Sequence, residues 1–415
     1  MITISNGTVL FGPDLIAKNT NILIDNGRII EISNDVVEGE IIDATDCIVC
    51  PSFLNAHTHI GDSIIKDIGD GKSIDEIVKP PNGLKHLELE KSSDKDLIDS
   101  MKETMWNMLE TGTTHFIDYR EGGLKGVNLL KKAAKDIPIN PIILGRDDSF
   151  YDEDPNLSKV KIAIKKILKV SDGIAPSGFG EISDEVAFLI VSECKKKGKL
   201  SSIHAGEYEA LQKDSLNNTG KTEIQKAVEA GFNQIVHITS PLNDDLDLIS
   251  KNNKNVVLCP RSNGAFSVGI PPLMEIFKKG IKPLIGTDNI MINSPNIFRE
   301  LEYTLKIMKA FYKEYIAPKD ILKMATTNVC IAGSLNNNID LDNNLNYGDN
   351  SNKEKIMAKN DFKTKINKLT IEKDNFAQLF IVKKLSKNPY LSLINRSETK
   401  DIICVMNKDK LVCYN

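Results

Sequence analysis

The feature that most constrains the fold is an alternation of short apolar runs with longer helical stretches over residues 51–330. Each run has the length of a buried strand and is followed by spaced apolar residues and helix formers, as in SDKDLIDSMKETMWNMLETG. The eight strand candidates are 51–56, 113–119, 141–145, 172–177, 200–205, 234–238, 255–259 and 282–287. Eight strands, each followed by helical sequence, predict a parallel (β/α)8 barrel, or TIM barrel, of the α/β class.

Both ends of the chain have the pattern of short strands instead. Residues 1–50 contain strand-type runs and two Asn-Gly pairs, Asn6-Gly7 and Asn26-Gly27, which are hairpin signals. We therefore predict four segments. They are 1–50 and 367–415 as the two parts of one small β-sandwich, 51–334 as the barrel, and 335–366, rich in Asn, Asp and Lys, as a flexible insert.

Composition excludes several classes of protein. The formal net charge is −4 and the pI about 6.0, so we expect no nucleic-acid polymer as a partner. No stretch reaches the ~18 consecutive apolar residues of a membrane span, and the first residues lack the pattern of a signal peptide. The seven cysteines are scattered and odd in number, which indicates a reduced, cytoplasmic protein. Cys47 and Cys50 form a C-x-x-C without a second pair, which favours strand packing over a zinc or redox role.

The histidines are few and unevenly placed. Two of the six, His57 and His59, stand one residue apart at the end of the first strand candidate. Residues i and i+2 of a strand point to the same face, and active sites of such barrels lie at the carboxyl ends of the strands. Two imidazoles on one face can bind one divalent cation. By themselves they could also be surface or core histidines.

Three further polar residues follow apolar runs in the same way. His204 ends the fifth strand candidate, His237 the sixth and Asp288 the eighth. Three neutral imidazoles and a carboxylate form a borderline nitrogen and oxygen site that suits Zn²⁺ or Fe²⁺. We therefore predict a divalent metal site, with zinc preferred and iron also accepted, among His57, His59, His204, His237 and Asp288.

This constellation resembles the amidohydrolase superfamily, and the resemblance covers nearly the whole chain. HAGE, which places Glu207 three residues after His204, and CPRSN, from Cys259 to Asn263, are similar to the branch of cytosine and adenosine-type deaminases and related chlorohydrolases. The resemblance implies that His57, His59, His204 and Asp288 bind the metal and that Glu207 is the proton shuttle. Two-metal members commonly use a lysine on strand 4, and DGIAPSGFGEIS has none, so we favour a single metal over a second ion held by Glu181.

The resemblance implies a hydrolytic deaminase that acts on a heterocyclic amine, such as a nucleobase or nucleoside. A bound metal lowers the pKa of its water from about 15.7 toward ~7 and so supplies hydroxide for the attack. Asp288 would accept the water's proton, Glu207 would protonate the ring nitrogen, and His237 would hold the water or the developing oxyanion. The alternatives are hydrolysis of another C–N, lactam, imidazolone or C–Cl bond by the same site, or a metal-binding role without catalysis.

The sequence says less about the identity of the substrate than about that of the metal. Candidate substrate contacts are His86 in the long loop after strand 1, Arg120 after strand 2, Arg146 after strand 3, and Asn263 in CPRSN. Each of these residues has an ordinary alternative role. His86 could belong to an exposed loop, the two arginines could form ion pairs with adjacent acidic residues, and Asn263 could make a contact within its own loop. If both arginines face inward, a negatively charged substrate is expected.

His115, inside strand 2, is interpreted as a packed barrel residue. Related proteins are often dimers or larger, and no interface pattern is visible.

Overall fold

The computed structural model describes residues 1–79, 82–329 and 369–414, which form an α/β protein with two sheets. The first sheet contains β1 (Ile2–Phe11), β2 (Ile16–Asp25), β3 (Arg28–Ser33), β4 (Glu40–Asp43) and β5 (Cys47–Pro51). As predicted, Asn26-Gly27 turns β2 into β3, with φ of 47° and 73°. The hairpin predicted at Asn6-Gly7 is wrong. These residues form a bulge within β1, with Asn6 at φ 63°, where the register with β2 shifts.

The second sheet is the barrel. Its strands are β6 (Phe53–His59), β7 (Thr113–Arg120), β8 (Asn140–Gly145), β9 (Gly173–Ile174), β10 (Leu200–Ala205), β11 (Gln234–His237), β12 (Asn255–Leu258), β13 (Leu284–Ile285) and β14 (Asp288–Asn289). All neighbouring strands pair in parallel. The pieces β13 and β14 form one interrupted eighth strand, because β13 pairs with β12 and β14 pairs with β6. The sheet therefore closes on itself, which confirms the predicted TIM barrel.

Helices occupy the connections between these strands. They are α1 (Ile74–Val78), α2 (Leu84–Lys91), α3 (Asp94–Leu109), α4 (Gly123–Ala134), α5 (Leu157–Ile167), α6 (Asp184–Lys197), α7 (Glu209–Thr219), α8 (Glu223–Ala230), α9 (Asp245–Lys251), α10 (Pro260–Ala265), α11 (Leu273–Lys278), α12 (Ile297–Tyr312) and α13 (Pro318–Met324). Local sequence explains their ends. In α6, the Ser183 hydroxyl accepts a hydrogen bond from the Val186 amide, and Gly198 ends the helix at φ 62°.

The C-terminal part of the chain completes the first sheet. Its elements are β15 (Gln378–Lys383), α14 (Pro389–Arg396), β16 (Ile402–Asn407) and β17 (Lys410–Cys413). β15 pairs antiparallel with β5, so strands from both ends of the chain form one β domain, as predicted. The domain packs on the barrel through three aromatic rings: Phe53 lies 4.9 Å from Phe380 and 5.3 Å from Phe298 between ring centroids.

Apolar side chains from most barrel strands fill its interior and leave the polar residues at the strand ends. This interior cluster includes Leu54, Ile117, Ile142, Leu200, Val236, Val257 and Leu284. Cys47 and Cys50 are buried in β5. Among the described residues, no helix is long and apolar enough to cross a membrane. The insert predicted at 335–366 lies outside the described residues, and the predicted domain boundaries stay predictions.

Candidate metal centre and active site

Five polar side chains predicted as ligands or catalytic groups lie together at the carboxyl-terminal rim of the barrel. His57 and His59 end β6, His204 lies in β10, His237 ends β11 and Asp288 begins β14. Four of them are buried, and His204 is half-buried. They converge because the carboxyl ends of all eight parallel strands meet at one rim.

The candidate ligand atoms are close enough to share one cation. His57 Nε2 lies 3.0 Å from Asp288 Oδ1 and 3.3 Å from His204 Nε2. His59 Nε2 lies 3.5 Å from the same Asp288 oxygen. Ligand atoms of His57, His59 and His204 all lie within 4.8 Å of one another, as do those of His57, His237 and Asp288. Imidazole nitrogens and a carboxylate in this arrangement are a donor set for Zn²⁺ or Fe²⁺.

The electrostatics of the site favour the protonation states that bind a metal. Burial, with the nearby Lys85 cation, lowers the pKa of His59 to about 3, and burial lowers the pKa of His237 to about 4. Burial and the neighbouring histidines hold the pKa of His204 well below its usual value. Burial alone would raise the pKa of Asp288, but the adjacent imidazoles, His57 first, outweigh it and hold that pKa well below its usual value. The lowered pKa values of His59, His204 and His237 favour neutral imidazoles beside the ionised Asp288, which is the form that ligates a metal, so these residues fit a divalent cation.

The backbone at the rim is held in an uncommon conformation. Asp288 has φ 62° and His237 has φ 78°. Positive φ is uncommon for residues other than glycine and is concentrated at functional sites. Hydrogen bonds fix the Asp288 carboxylate: the Ser262 hydroxyl donates to Oδ2 at 2.6 Å and the Asn289 amide donates to Oδ1 at 3.2 Å.

A pocket of about 840 Å³, including its open mouth, lies over this rim. Glu207, Glu181 and Glu223 line it, together with Ile74, Asp75 and Val78 of α1. Glu207 Oε2 lies 3.6 Å from His237 Nε2, and the Glu207 side chain is 17% exposed. Burial first, and then the charge of Asp288, raises the pKa of Glu207 well above its usual value. This environment therefore favours the protonated form of the carboxyl group beside the cluster.

A buried network of charges centred on Glu121 lies beside His59. Glu121 Oε1 lies 3.0 Å from His59 Nδ1, 2.7 Å from Lys85 Nζ and 2.8 Å from Arg146 Nη2, while Oε2 accepts a hydrogen bond from Arg120 at 2.8 Å. Burial opposes ionisation of Glu121, but Lys85, Arg146 and Arg120 together hold its pKa well below its usual value. The carboxylate can thus accept the Nδ1 proton of His59, which leaves the Nε2 lone pair for a metal.

The predicted substrate contacts divide into two groups. Arg146 lines the pocket, with hydrogen bonds to Glu121 and to the Ser177 hydroxyl. The other three do not appear among the described residues that line it. Arg120 is directed to Glu121, His86 Nε2 lies 3.1 Å from the Val78 carbonyl oxygen, and the Asn263 amide donates to Thr239 Oγ1 at 2.6 Å. Of the two arginines, Arg146 lies in the pocket wall and Arg120 is hydrogen-bonded to Glu121, and the anionic substrate stays a prediction.

Two other predictions concern residues near the site. His115 is fully buried in β7 and its ring nitrogens contact Thr114, Asn140 and Gln378, as expected of a packed barrel residue. Glu181 lies in the pocket wall, but within the described residues it belongs to neither close group of candidate ligands.

Lys85, Glu121 and Ser262 were missed as site residues by the sequence analysis. Glu121 follows strand 2 at the same rim as the ligands, so its position was a usable signal. Ser262 stands inside CPRSN and could have been found there. Lys85 lies in LKHLELE, whose pattern suggests an ordinary exposed helix, and no local signal indicates that it is 2% exposed.

Comparison with known proteins shows the family and the fold to which the chain is similar. The Amidohydrolase family matches residues 48–340. A "Putative aminohydrolase" of Methanothermobacter thermautotrophicus is 43% identical over 413 residues, which covers 99% of each chain. A 5-methylthioadenosine/S-adenosylhomocysteine deaminase of Thermoanaerobacter pseudethanolicus is 25% identical over 337 residues, 75% of each chain. The crystal structure of an adenosine deaminase from Xanthomonas campestris with bound zinc matches with a TM-score of 0.79 at 16% identity, covering 99% of this chain and 92% of that one.

Proposed function

Because the chain belongs to the Amidohydrolase family, we propose that it is a metal-dependent deaminase that releases ammonia from a heterocyclic amine of the nucleobase or nucleoside type. It is a hydrolase of carbon–nitrogen bonds other than peptide bonds. The relatives named as adenosine-type deaminases support this kind of substrate. The observation that carries the proposal is the position of Glu207, whose pKa burial raises, 3.6 Å from His237 and beside the buried cluster of histidines and Asp288.

Glu207 is placed to act as the general acid. The carbon that bears the amino group of such a heterocycle resists attack unless its neighbouring ring nitrogen gains a proton. Burial and the charge of Asp288 raise the pKa of Glu207, which favours a proton on this carboxyl group, and Glu207 lines the pocket. Delivery of that proton to the ring nitrogen makes the carbon electrophilic. General acid–base catalysis of this kind is typically worth ~10²–10⁴ in rate.

Asp288 and His237 have complementary roles. Asp288 is ionised and can take the proton of the attacking water. His237 lies between Glu207 and the other histidines and can hold that water or the oxyanion that develops on the substrate. His57, His59, His204 and Asp288 would hold the metal, for which zinc is preferred over iron. When bound, the metal supplies a Lewis acid that lowers the pKa of water.

The test is an assay of ammonia release by protein whose metal content has been measured. The panel is cytosine, guanine, adenine, adenosine, 5′-modified adenosines and S-adenosylhomocysteine, and the matched variant is Glu207→Gln. We expect about one equivalent of metal in both proteins. We expect ammonia from at least one substrate with the wild type, and a loss of about 10²-fold or more in the variant.

Two outcomes would contradict the proposal. A metal-loaded wild type that releases no ammonia from any substrate would exclude this class of amine, and imidazolone, lactam and halogenated substrates would then be assayed. A Glu207→Gln variant with wild-type turnover would remove Glu207 from the chemistry.

A further inference from the structure

Lys85 is a buried cation that the chemistry above does not use. It lies in α2, in the connection between β6 and α3, and is 2% exposed. Its ammonium nitrogen lies 2.7 Å from Glu121 Oε1, 2.9 Å from Asn289 Oδ1 and 3.1 Å from Asp62 Oδ2. A lysine ammonium has three N–H donors. These three acceptors are enough to take all of them, so Lys85 has no donor left for a substrate although it borders the pocket.

Two of the three acceptors of Lys85 contact candidate metal ligands. Glu121 Oε1, which faces Lys85, also lies 3.0 Å from His59 Nδ1. Asn289 receives the Lys85 hydrogen bond on its carbonyl oxygen, and its amide nitrogen donates to Asp288 Oδ1 at 3.2 Å. One ammonium group is therefore connected to a ligand on β6 through a carboxylate and to a ligand on β14 through an amide.

The direction of each contact matters for metal binding. Because Lys85 occupies the amide oxygen of Asn289, the donor end of that amide faces Asp288. Because Glu121 accepts at His59 Nδ1, the lone pair of the neutral ring is on Nε2, the nitrogen that lies 3.5 Å from Asp288 Oδ1. The third acceptor, Asp62, also accepts a hydrogen bond from the Met291 amide, which holds the segment after β14 in place.

We propose that Lys85 is a positioning residue that sets His59 and Asp288 in the geometry that binds the metal. It acts through Glu121 and Asn289 and touches neither the metal nor the substrate. Removal of its charge leaves the buried carboxyl group of Asp62 without its cation and allows the Asn289 amide to rotate away from Asp288. Partners of this kind around metal ligands are typically worth 10–100-fold in metal affinity.

The experiment measures zinc affinity by competition with a chromogenic chelator for wild type, Lys85→Met, Asn289→Ala and the double variant. The control is Lys91→Met, which removes a lysine of the same helix whose side chain is 69% exposed. We expect a 10–100-fold weaker zinc affinity for Lys85→Met and a change of less than about twofold for Lys91→Met. Asn289→Ala should weaken zinc binding in the wild-type background and have a smaller effect once Lys85 is replaced, because Lys85 acts through it.

The proposal rests on the metal site and not on the identity of the substrate, so failure of the deaminase assay would leave the zinc measurement intact. Wild-type zinc affinity in Lys85→Met, or fully additive effects of Lys85→Met and Asn289→Ala, would overturn it. If Lys85→Met does not fold, Lys85→Gln, which keeps a donor for Asn289 without the charge, is measured in the same way. Its wild-type zinc affinity would also overturn the proposal, and a loss of about tenfold would support it.

Discussion

Replacement of Gly286 by alanine tests why the eighth barrel strand is interrupted next to His57. A Cβ built on Gly286 would lie 2.6 Å from His57 Cβ, 2.7 Å from its amide nitrogen and 2.9 Å from its carbonyl oxygen. These atoms belong to the backbone and its first side-chain carbon, so no rotamer change relieves the contact. The two strands would have to separate by about 0.8 Å to bring the two Cβ atoms to 3.4 Å, where ordinary contact begins.

That displacement falls directly on a candidate metal ligand. A misplacement of about 1 Å can cost ~10²-fold in catalysis, and added volume in a packed region costs about 1–3 kcal/mol of stability. We therefore expect Gly286→Ala to weaken zinc binding by about 10–100-fold and to lower ammonia release by a similar or larger factor. The assays are chelator competition for zinc affinity, ammonia release on the best substrate, and urea denaturation for stability.

Gly280→Ala is the matched control for this substitution. Gly280 has φ 71°, and no heavy atom lies within 4 Å of the position that an added Cβ would take. Alanine there costs backbone strain of about 1–2 kcal/mol without pushing on the site. If the two variants lose similar stability and bind zinc equally well, the reasoning is refuted, because the close approach of Gly286 to His57 would then have no effect on the metal centre.

Two further predictions concern buried charges. Burial raises the pKa of Glu300 to about 7, above its ordinary value, so the folded state holds this proton more tightly than the unfolded state. Its contribution to stability is present below about pH 4.5 and is lost as the pH rises to about 7. Glu300→Gln should therefore lose less stability than the wild type between about pH 4.5 and 8 in urea denaturation, and identical pH profiles would contradict this. Arg120→Ala should lower the free energy of unfolding by about 3–5 kcal/mol, because it leaves Asp118 and Glu121 with one fewer buried cation. A loss below about 1 kcal/mol in the same assay would show that the guanidinium contributes little.

The sequence alone was enough to predict the barrel and the candidate ligands. Runs of apolar residues followed by helical periodicity are local signals, and eight of them in succession allow few arrangements. The position of the candidate ligands could be predicted for the same reason, since a residue at the carboxyl end of a barrel strand lies at the rim whatever the length of the connections. His57, His59, His204, His237 and Asp288 all follow this rule.

Local signals were misleading where a distant segment determines the conformation. Asn6-Gly7 has the sequence of a hairpin turn, yet β1 continues through it as a bulge paired with β2. A Cβ on Gly7 would lie 2.7 Å from the Val49 side chain, a contact with β5 that the turn signal could not reveal. Likewise, Arg120 and Arg146 follow neighbouring strands in similar sequence, and only the packed structure shows that Arg146 borders the pocket while Arg120 does not.

The surroundings of the ligands were decided by tertiary structure. The Lys85 ammonium meets Asn289, 204 positions away along the chain. Glu121 follows β7, and Asp62 lies earlier in the same connection as Lys85. The free energy of a buried charge depends on the partners that surround it, and those partners are brought together only when the barrel closes. The sequence determined which residues stand at the rim, because strand ends are a local property. The closed barrel determined which of them are buried, neutral or ionised, because burial and charge pairing depend on distant parts of the chain.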